Sequence, residues 1–136
     1  MKREAQFTLL FRHWVMAQDN LRSAAFELKQ TASDSLPFDA VKDHQIAALM
    51  ASKSAFLYKI PDDSRGIKPY DLVYLNKAEA FVVIRYVDCF VLIEVEDFTL
   101  ERDTSKRKSL TSDRAKQIAI RVESLVPNKR IAFPKS

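Results

Sequence analysis

The chain has 136 residues, 47% of them hydrophobic, which suits one core and one domain. Its formal net charge of +4 permits a polyanionic partner, and the lack of any apolar run near about 18 residues excludes a membrane-spanning helix. The single cysteine, Cys89, excludes an internal disulfide and fits a reducing compartment, so a cytoplasmic protein with no membrane partner is expected.

The opening stretch, MKREAQFTLLFRHWVM, is basic and then apolar, a weak imitation of a secretion leader. Arg12 and His13 interrupt its apolar part, and no small-residue cleavage site follows before Asp19-Asn20. The periodicity instead predicts a helix over residues 4–17, with Phe7, Leu10, Phe11, Trp14 and Val15 on one side. A short strand from Ala24 follows, in which Phe26 and Leu28 point to one face and Glu27 and Lys29 to the other. Residues 30–36 are small and polar, a loop that Pro37 helps to close. A helix starting near Asp39 then runs through Val41, Gln45, Ala48, Leu49 and Ala51.

Residues 56–60 read as a strand, and Pro61 to Gly66 as a turn or exposed loop. Gly66 is the only glycine, so no glycine-rich phosphate loop or dinucleotide fingerprint exists. Asp71 to Leu75 is expected as a strand, Asn76-Lys77 as a turn, and Ala80 to Tyr86 and Cys89 to Val95 as central strands of one sheet. Thr111 or Ser112 can cap a last helix over residues 112–124, with Ala115, Ile118, Ala119 and Val122 on its apolar side. With neither repeats nor a dividing linker, the layout predicts one α/β domain over residues 1–136, a mixed central β-sheet flanked by helices.

Glu27 and Lys29 form the first chemical constellation. The carboxylate can hold a metal, and the ammonium beside it can orient a water or stabilise an anionic transition state. On the next helix, Gln45 or His44 can hold a water or a phosphate oxygen. Asp71 enters its strand just after Pro69, which restrains the backbone there, and supplies a second carboxylate at a strand end. Two carboxylates with water suit a hard divalent cation, Mg2+ or Mn2+. One cysteine and two distant histidines make a poor zinc set.

Arg65 and Lys68 beside Asp71 can contact phosphate, and Asp62 and Asp63 are further ligands or solvated turn residues. Glu94 and Glu96 read as surface residues sharing one strand face. Basic residues crowd the C-terminal part, namely Arg102, Lys106, Arg107, Lys108, Arg114, Lys116, Arg121, Lys129 and Arg130. They form either a solvated surface or an electrostatic track for phosphates.

Ser23 to Lys29, Leu36-Pro37-Phe38, His44-Gln45 and Ala80 to Ile84, in that order, resemble the restriction-endonuclease-like superfamily with the PD-(D/E)XK motif. The resemblance spans roughly residues 4–100 and is nearest in flavour to Holliday junction resolvases of the RecU type. It implies a restriction-endonuclease-like fold and an Mg2+-dependent endonuclease that hydrolyses phosphodiester bonds of DNA, branched DNA included, often as a homodimer. Glu27 resembles the motif's metal-binding acid, Lys29 its lysine and Gln45 the glutamine of the following helix. Glu4 stands for the acid of the first helix.

One departure is evident. The family carries a metal-binding aspartate on a strand just before Glu-x-Lys, and the expected helix to about Ala17 leaves no room for that strand. Asp71 is the preferred replacement and Asp19 the alternative. The expected catalytic set is therefore Glu27, Lys29, Asp71 and Gln45. Glu27 and Asp71 hold the metal, and His44, Arg65, Lys68, Lys106, Arg107 and Lys108 contact nucleic acid. The rival expectation is a non-catalytic nucleic-acid-binding domain of the same fold.

Overall fold

The apolar runs expected to be central strands do form the centre of the molecule. In the computed structural model, which describes residues 3–125 and the side chains from Ala5 onward, β1 (Ala24–Gln30), β5 (Glu79–Arg85), β6 (Cys89–Glu94) and β8 (Arg121–Ser124) make a four-stranded sheet in the order β1-β5-β6-β8. β1 and β5 are parallel, whereas β5–β6 and β6–β8 are antiparallel. Val82, Val83, Ile84, Val91 and Ile93 are fully buried, as near-continuous apolar strands covered on both faces should be.

Strand alternation sorts the sheet's side chains into two cores. On one face, α1 (Arg3–Met16) packs Phe7 and Phe11 against Phe81, Val83, Phe90 and Leu92, with Phe26 and Leu28 of β1 beside them. Phe11 meets Phe26 edge-on at 4.9 Å between centroids, and the Arg121 guanidinium lies 5.4 Å from the Trp14 ring centre. On the other face, Ala80, Val82, Ile84, Val91 and Ile93 meet Ile46 and Leu49 of α2 (Asp43–Ser52), Phe98 of α3 (Val95–Thr104) and Ala115 of α4 (Ser112–Ile118). Each large side chain so buried contributes about 1.5–3 kcal/mol. The result is a mixed sheet between helical layers, as expected.

The helix expected from near Asp39 begins at Asp43, after a separate 3-10 turn over Phe38–Ala40, and three further features differ from the expectation. Val95 begins a helix instead of ending a strand, because only Val95 and Phe98 must be buried in it. Glu96 and Asp97 in its first turn and Arg102 in its last complement the helix dipole. Glu96 therefore shares no strand face with Glu94. The last expected helix stops at Ile118. Thr111 caps it by accepting from the Arg114 N–H at 3.2 Å, as expected, but residues 121–124 instead pair with Cys89–Leu92, which places Val122 opposite Val91. The sheet edge offers Val122 a pleated partner that outweighs its place in a helical repeat.

The third difference concerns β3 (Ala55–Lys59) and β4 (Leu72–Asn76). They pair only with each other and stand outside the central sheet. Leu57, Tyr58, Leu72 and Tyr74 of this hairpin are exposed. Its base is tied down where the Ala78 and Lys77 N–H groups donate to the Ser52 and Ser54 carbonyls. Lys77 takes a φ of 58°, closing the expected Asn76-Lys77 turn. A further short pair, β2 (Ser35–Pro37) with β7 (Ser109–Thr111), closes over the α2–α3–α4 face.

Candidate functional site

Glu27 and Lys29 lie on the same face of edge strand β1, alongside Val82 and Ile84 of β5. The Lys29 Nζ is 3.2 Å from a Glu27 carboxylate oxygen, with side chains 21% and 26% exposed. Phe26 and Leu28 occupy the opposite, α1 face, so the alternation read from the sequence fixes which side the charged pair takes. A half-buried, self-neutralised acid–base pair at a sheet edge can receive a ligand without first being drawn out of a core.

The other expected members take different positions. Gln45 sits in the first turn of α2, where its Oε1 accepts from the Lys42 N–H at 2.9 Å. This is the return bond of a capping box, so the side chain is engaged in its own helix. His44 is exposed one residue earlier. Asp71 precedes β4, on the hairpin and not on the central sheet. Its side chain is 82% exposed and lies 3.2 Å from the Lys68 Nζ. Asp19 is exposed in the bend between α1 and β1, and residues 17–23 contain no strand. The structure thus brings Glu27 and Lys29 together and places Asp71 on a separate two-stranded unit.

The hairpin loop is organised by its own charges. Lys68 reaches Asp62 at 2.8 Å, and Lys59 reaches the same carboxylate at 3.2 Å. These ammonium groups, Lys68 first, hold the Asp62 carboxyl below its ordinary range. Asp63 accepts from the Arg65, Gly66 and Ile67 N–H groups, and Gly66 takes a φ of 65°. Asp63 is accordingly a loop-closing residue, while the Arg65 side chain is exposed.

Much of the C-terminal basic track is neutralised internally. Arg102 pairs with Asp103 and Asp43, Arg114 with Glu101, Lys116 with Asp88, and Arg121 with Glu123. The Arg114–Glu101 pair is bidentate, at 2.9 and 3.0 Å, and it raises the Arg114 pKa. Lys106, Arg107 and Lys108 make no ion pair among the described residues and link α3 to β7. Lys106 and Arg107 line a cleft of about 770 Å³ with Ser112 and Arg114, and Arg107 and Lys108 line one of about 480 Å³ with Lys42 and Arg102. These two clefts were not legible in the sequence, because the strand pair β2–β7 creates them. Lys129 and Arg130 lie outside the described residues, as does the side chain of Glu4.

Among the described residues no three His, Cys, Asp or Glu side chains come together as a metal-binding group. The donor set at β1 is one carboxylate beside an ammonium. That carboxylate already has the Lys29 ammonium as its counter-ion at 3.2 Å, so a cation there would have to displace it. No described helix is long and apolar enough to cross a membrane. No protein-family model matches the chain, and no curated protein matches it significantly.

Proposed function

We propose that the chain is a metal-dependent endonuclease of the restriction-endonuclease-like kind, acting on DNA through Glu27 and Lys29. The observation that carries this reading is the half-buried Glu27–Lys29 pair at 3.2 Å on edge strand β1, which is joined to parallel β5 through α2. Glu27 would hold Mg2+ or Mn2+ together with oxygens of the bound phosphate, and the ion would supply charge neutralisation and a more acidic water. Lys29, at 3.2 Å from Glu27, would stabilise negative charge on a phosphate bound beside that carboxylate. Lys106, Arg107 and Lys108, among the described cations that make no ion pair, would hold the DNA backbone. Two copies acting as a homodimer would offer one Glu27–Lys29 site to each strand of a branched or duplex substrate.

The binding-only reading rests on a specific observation too. The Glu27 carboxylate already has a counter-ion in Lys29, and Asp71 stands on the hairpin. A nucleic-acid-binding domain would use the same free cations and need no metal.

Cleavage of labelled four-way junction, flap and linear DNA in Mg2+ or Mn2+ decides between the two. Native protein is compared with Glu27→Gln, Lys29→Ala and Asp71→Ala, with sedimentation to give the oligomeric state. The nuclease reading expects metal-dependent cutting that falls by about 10²-fold or more in the Glu27 and Lys29 variants and survives Asp71→Ala. Loss in Asp71→Ala as well would bring the hairpin into the site. Salt-sensitive binding without cutting of any substrate would establish the binding domain.

A further inference from the structure

The sequence of β4 opens Leu-Val-Tyr-Leu, apolar at every position, a pattern that belongs to a strand covered on both faces. Only one face is covered. Phe56, Val73 and Leu75 share a side of the hairpin and are half-buried, and β3 packs on α2. The other side carries Leu57, Leu72 and Tyr74, which are 62%, 54% and 60% exposed. Leu57 and Tyr74 are direct register partners, and Leu72 lies one step along the same face, so the three form one continuous patch. Ile67 and Tyr70, in the loop that joins the strands, are bare as well.

A two-stranded hairpin is marginal by itself, and a bare apolar face on it adds nothing to the stability of a single copy. At on the order of 120 Å² for each of these five side chains, the hairpin leaves roughly 600 Å² of apolar surface in water. That is most of the roughly 800 Å² that each partner brings to a standard interface, with a polar margin to make up the rest.

Charge narrows the choice of partner. Between Ala55 and Asn76, Lys59, Arg65 and Lys68 are balanced by Asp62, Asp63 and Asp71. Lys59 and Lys68 meet Asp62, Lys68 also meets Asp71, and Asp63 accepts from the loop's own N–H groups. The unit is therefore neutral on a chain of net charge +4, and it gives a polyanion no electrostatic hold. Nor does it present an unpaired carboxylate to select a partner of opposite charge. It fits a surface as neutral and apolar as itself. A second copy supplies one: about a two-fold axis the patch meets its own equivalent, and each copy keeps its ion pairs intact.

We propose that the chain forms a two-fold dimer through the β3–β4 hairpin, the Leu57, Leu72 and Tyr74 face of one copy packed on that of the other. This names the interface of the homodimer in the functional reading and does not depend on the cleavage chemistry. A monomer that cuts DNA would overturn the interface alone. A hairpin dimer that cuts no DNA would overturn the nuclease reading alone.

The test is sedimentation of the full chain without DNA, from about 1 to 100 μM, where the native protein should become dimeric. Leu57→Asp with Tyr74→Asp should weaken the dimer by about 10²-fold or more. Leu57→Ser with Tyr74→Thr, which adds no charge and retains a strand former, should weaken it about tenfold or more. Leu100→Asp, at an equally exposed leucine of α3, should leave it unchanged. Both double variants should keep the native circular dichroism, since these side chains are bare in a single copy. Hydrogen exchange needs no variant and decides the matter if a variant misfolds: amides of residues 55–59 and 72–76 should gain protection as native protein is concentrated.

A native chain still monomeric at about 100 μM would overturn the proposal. So would a dimer that survives both double variants, or concentration-dependent protection that spares the hairpin. A dimer that dissociates as salt is raised would mean that charge, not the apolar face, holds it. Protection of the hairpin by added duplex DNA and not by concentration would give the face to nucleic acid instead.

Discussion

The Tyr86 hydroxyl donates to the Leu110 carbonyl at 2.9 Å, joining the end of β5 to β7 across 24 positions of sequence. Burial pushes the Tyr86 phenol above its ordinary pKa, which favours the protonated, donating form. Tyr86→Phe keeps the ring's packing and removes this bond. It is expected to lower stability by about 1 kcal/mol, read as a shift of the urea midpoint with unchanged slope. An unchanged midpoint would show that the bond contributes nothing net.

Gln45 separates a capping role from a chemical one. If its carboxamide serves the N-terminus of α2, Gln45→Ala costs about 0.5–2 kcal/mol of stability and leaves the cleavage rate per folded molecule unchanged. Gln45→Glu, which can make the same return bond, should keep the stability. A cleavage loss in Gln45→Ala with no change in melting would instead put the side chain in the site, as the resemblance to the nuclease family implies.

The free cations make a quantitative prediction about salt. Replacing Lys106, Arg107 and Lys108 with alanine should reduce the slope of log affinity for duplex DNA against log salt by about 0.9 for each phosphate no longer neutralised. Replacing Lys116, which lies 3.7 Å from Asp88, should change the slope less, because its charge is already balanced. Equal effects from both sets would mean that DNA lies across the whole C-terminal face.

Asp62 is held acidic by Lys68 and Lys59. A carboxyl whose pKa is lowered by folding favours the folded hairpin above its unfolded pKa, and this contribution fades as pH falls through the folded value. NMR titration should therefore place the Asp62 midpoint below that of an ordinary aspartate, and Lys68→Met should move it up. The group is exposed, so the effect belongs to the loop, and global stability should barely respond. An Asp62 midpoint indifferent to Lys68→Met would mean that the ion pair is not formed in solution.

Cys89 is 3% exposed, and burial raises its thiol pKa. A thiol-specific reagent should label it slowly in the native protein at neutral pH and rapidly after denaturation. Fast native labelling would show that β6 opens on the timescale of the reaction.

Much of this was readable from local pattern. Phe7, Leu10, Phe11 and Trp14 repeat at helical spacing, and α1 indeed sets that side on the sheet. The Val- and Ile-rich runs form the two inner strands, and Thr111 caps the helix it precedes. Phe26-Glu27-Leu28-Lys29 alternates in the sequence, and the same alternation places the charged pair opposite the aromatic core. α3 was harder to see, since with only Val95 and Phe98 buried it has almost no apolar repeat.

Sequence by itself determined which side chains share a face and which face is apolar, because the periods of helix and strand are set by backbone geometry within a few residues. Only the tertiary structure decided what each segment pairs with. It turned residues 121–124 into a strand beside β6 and set the Asp71 hairpin apart from the sheet that carries Glu27. It neutralised Arg114 and Lys116 while leaving Lys106–Lys108 free, and it set Leu57 beside Tyr74 on a bare face of the hairpin. Those outcomes depend on contacts between residues far apart in the chain, where the energy of a shared edge or an ion pair outweighs the weak preference of either segment alone.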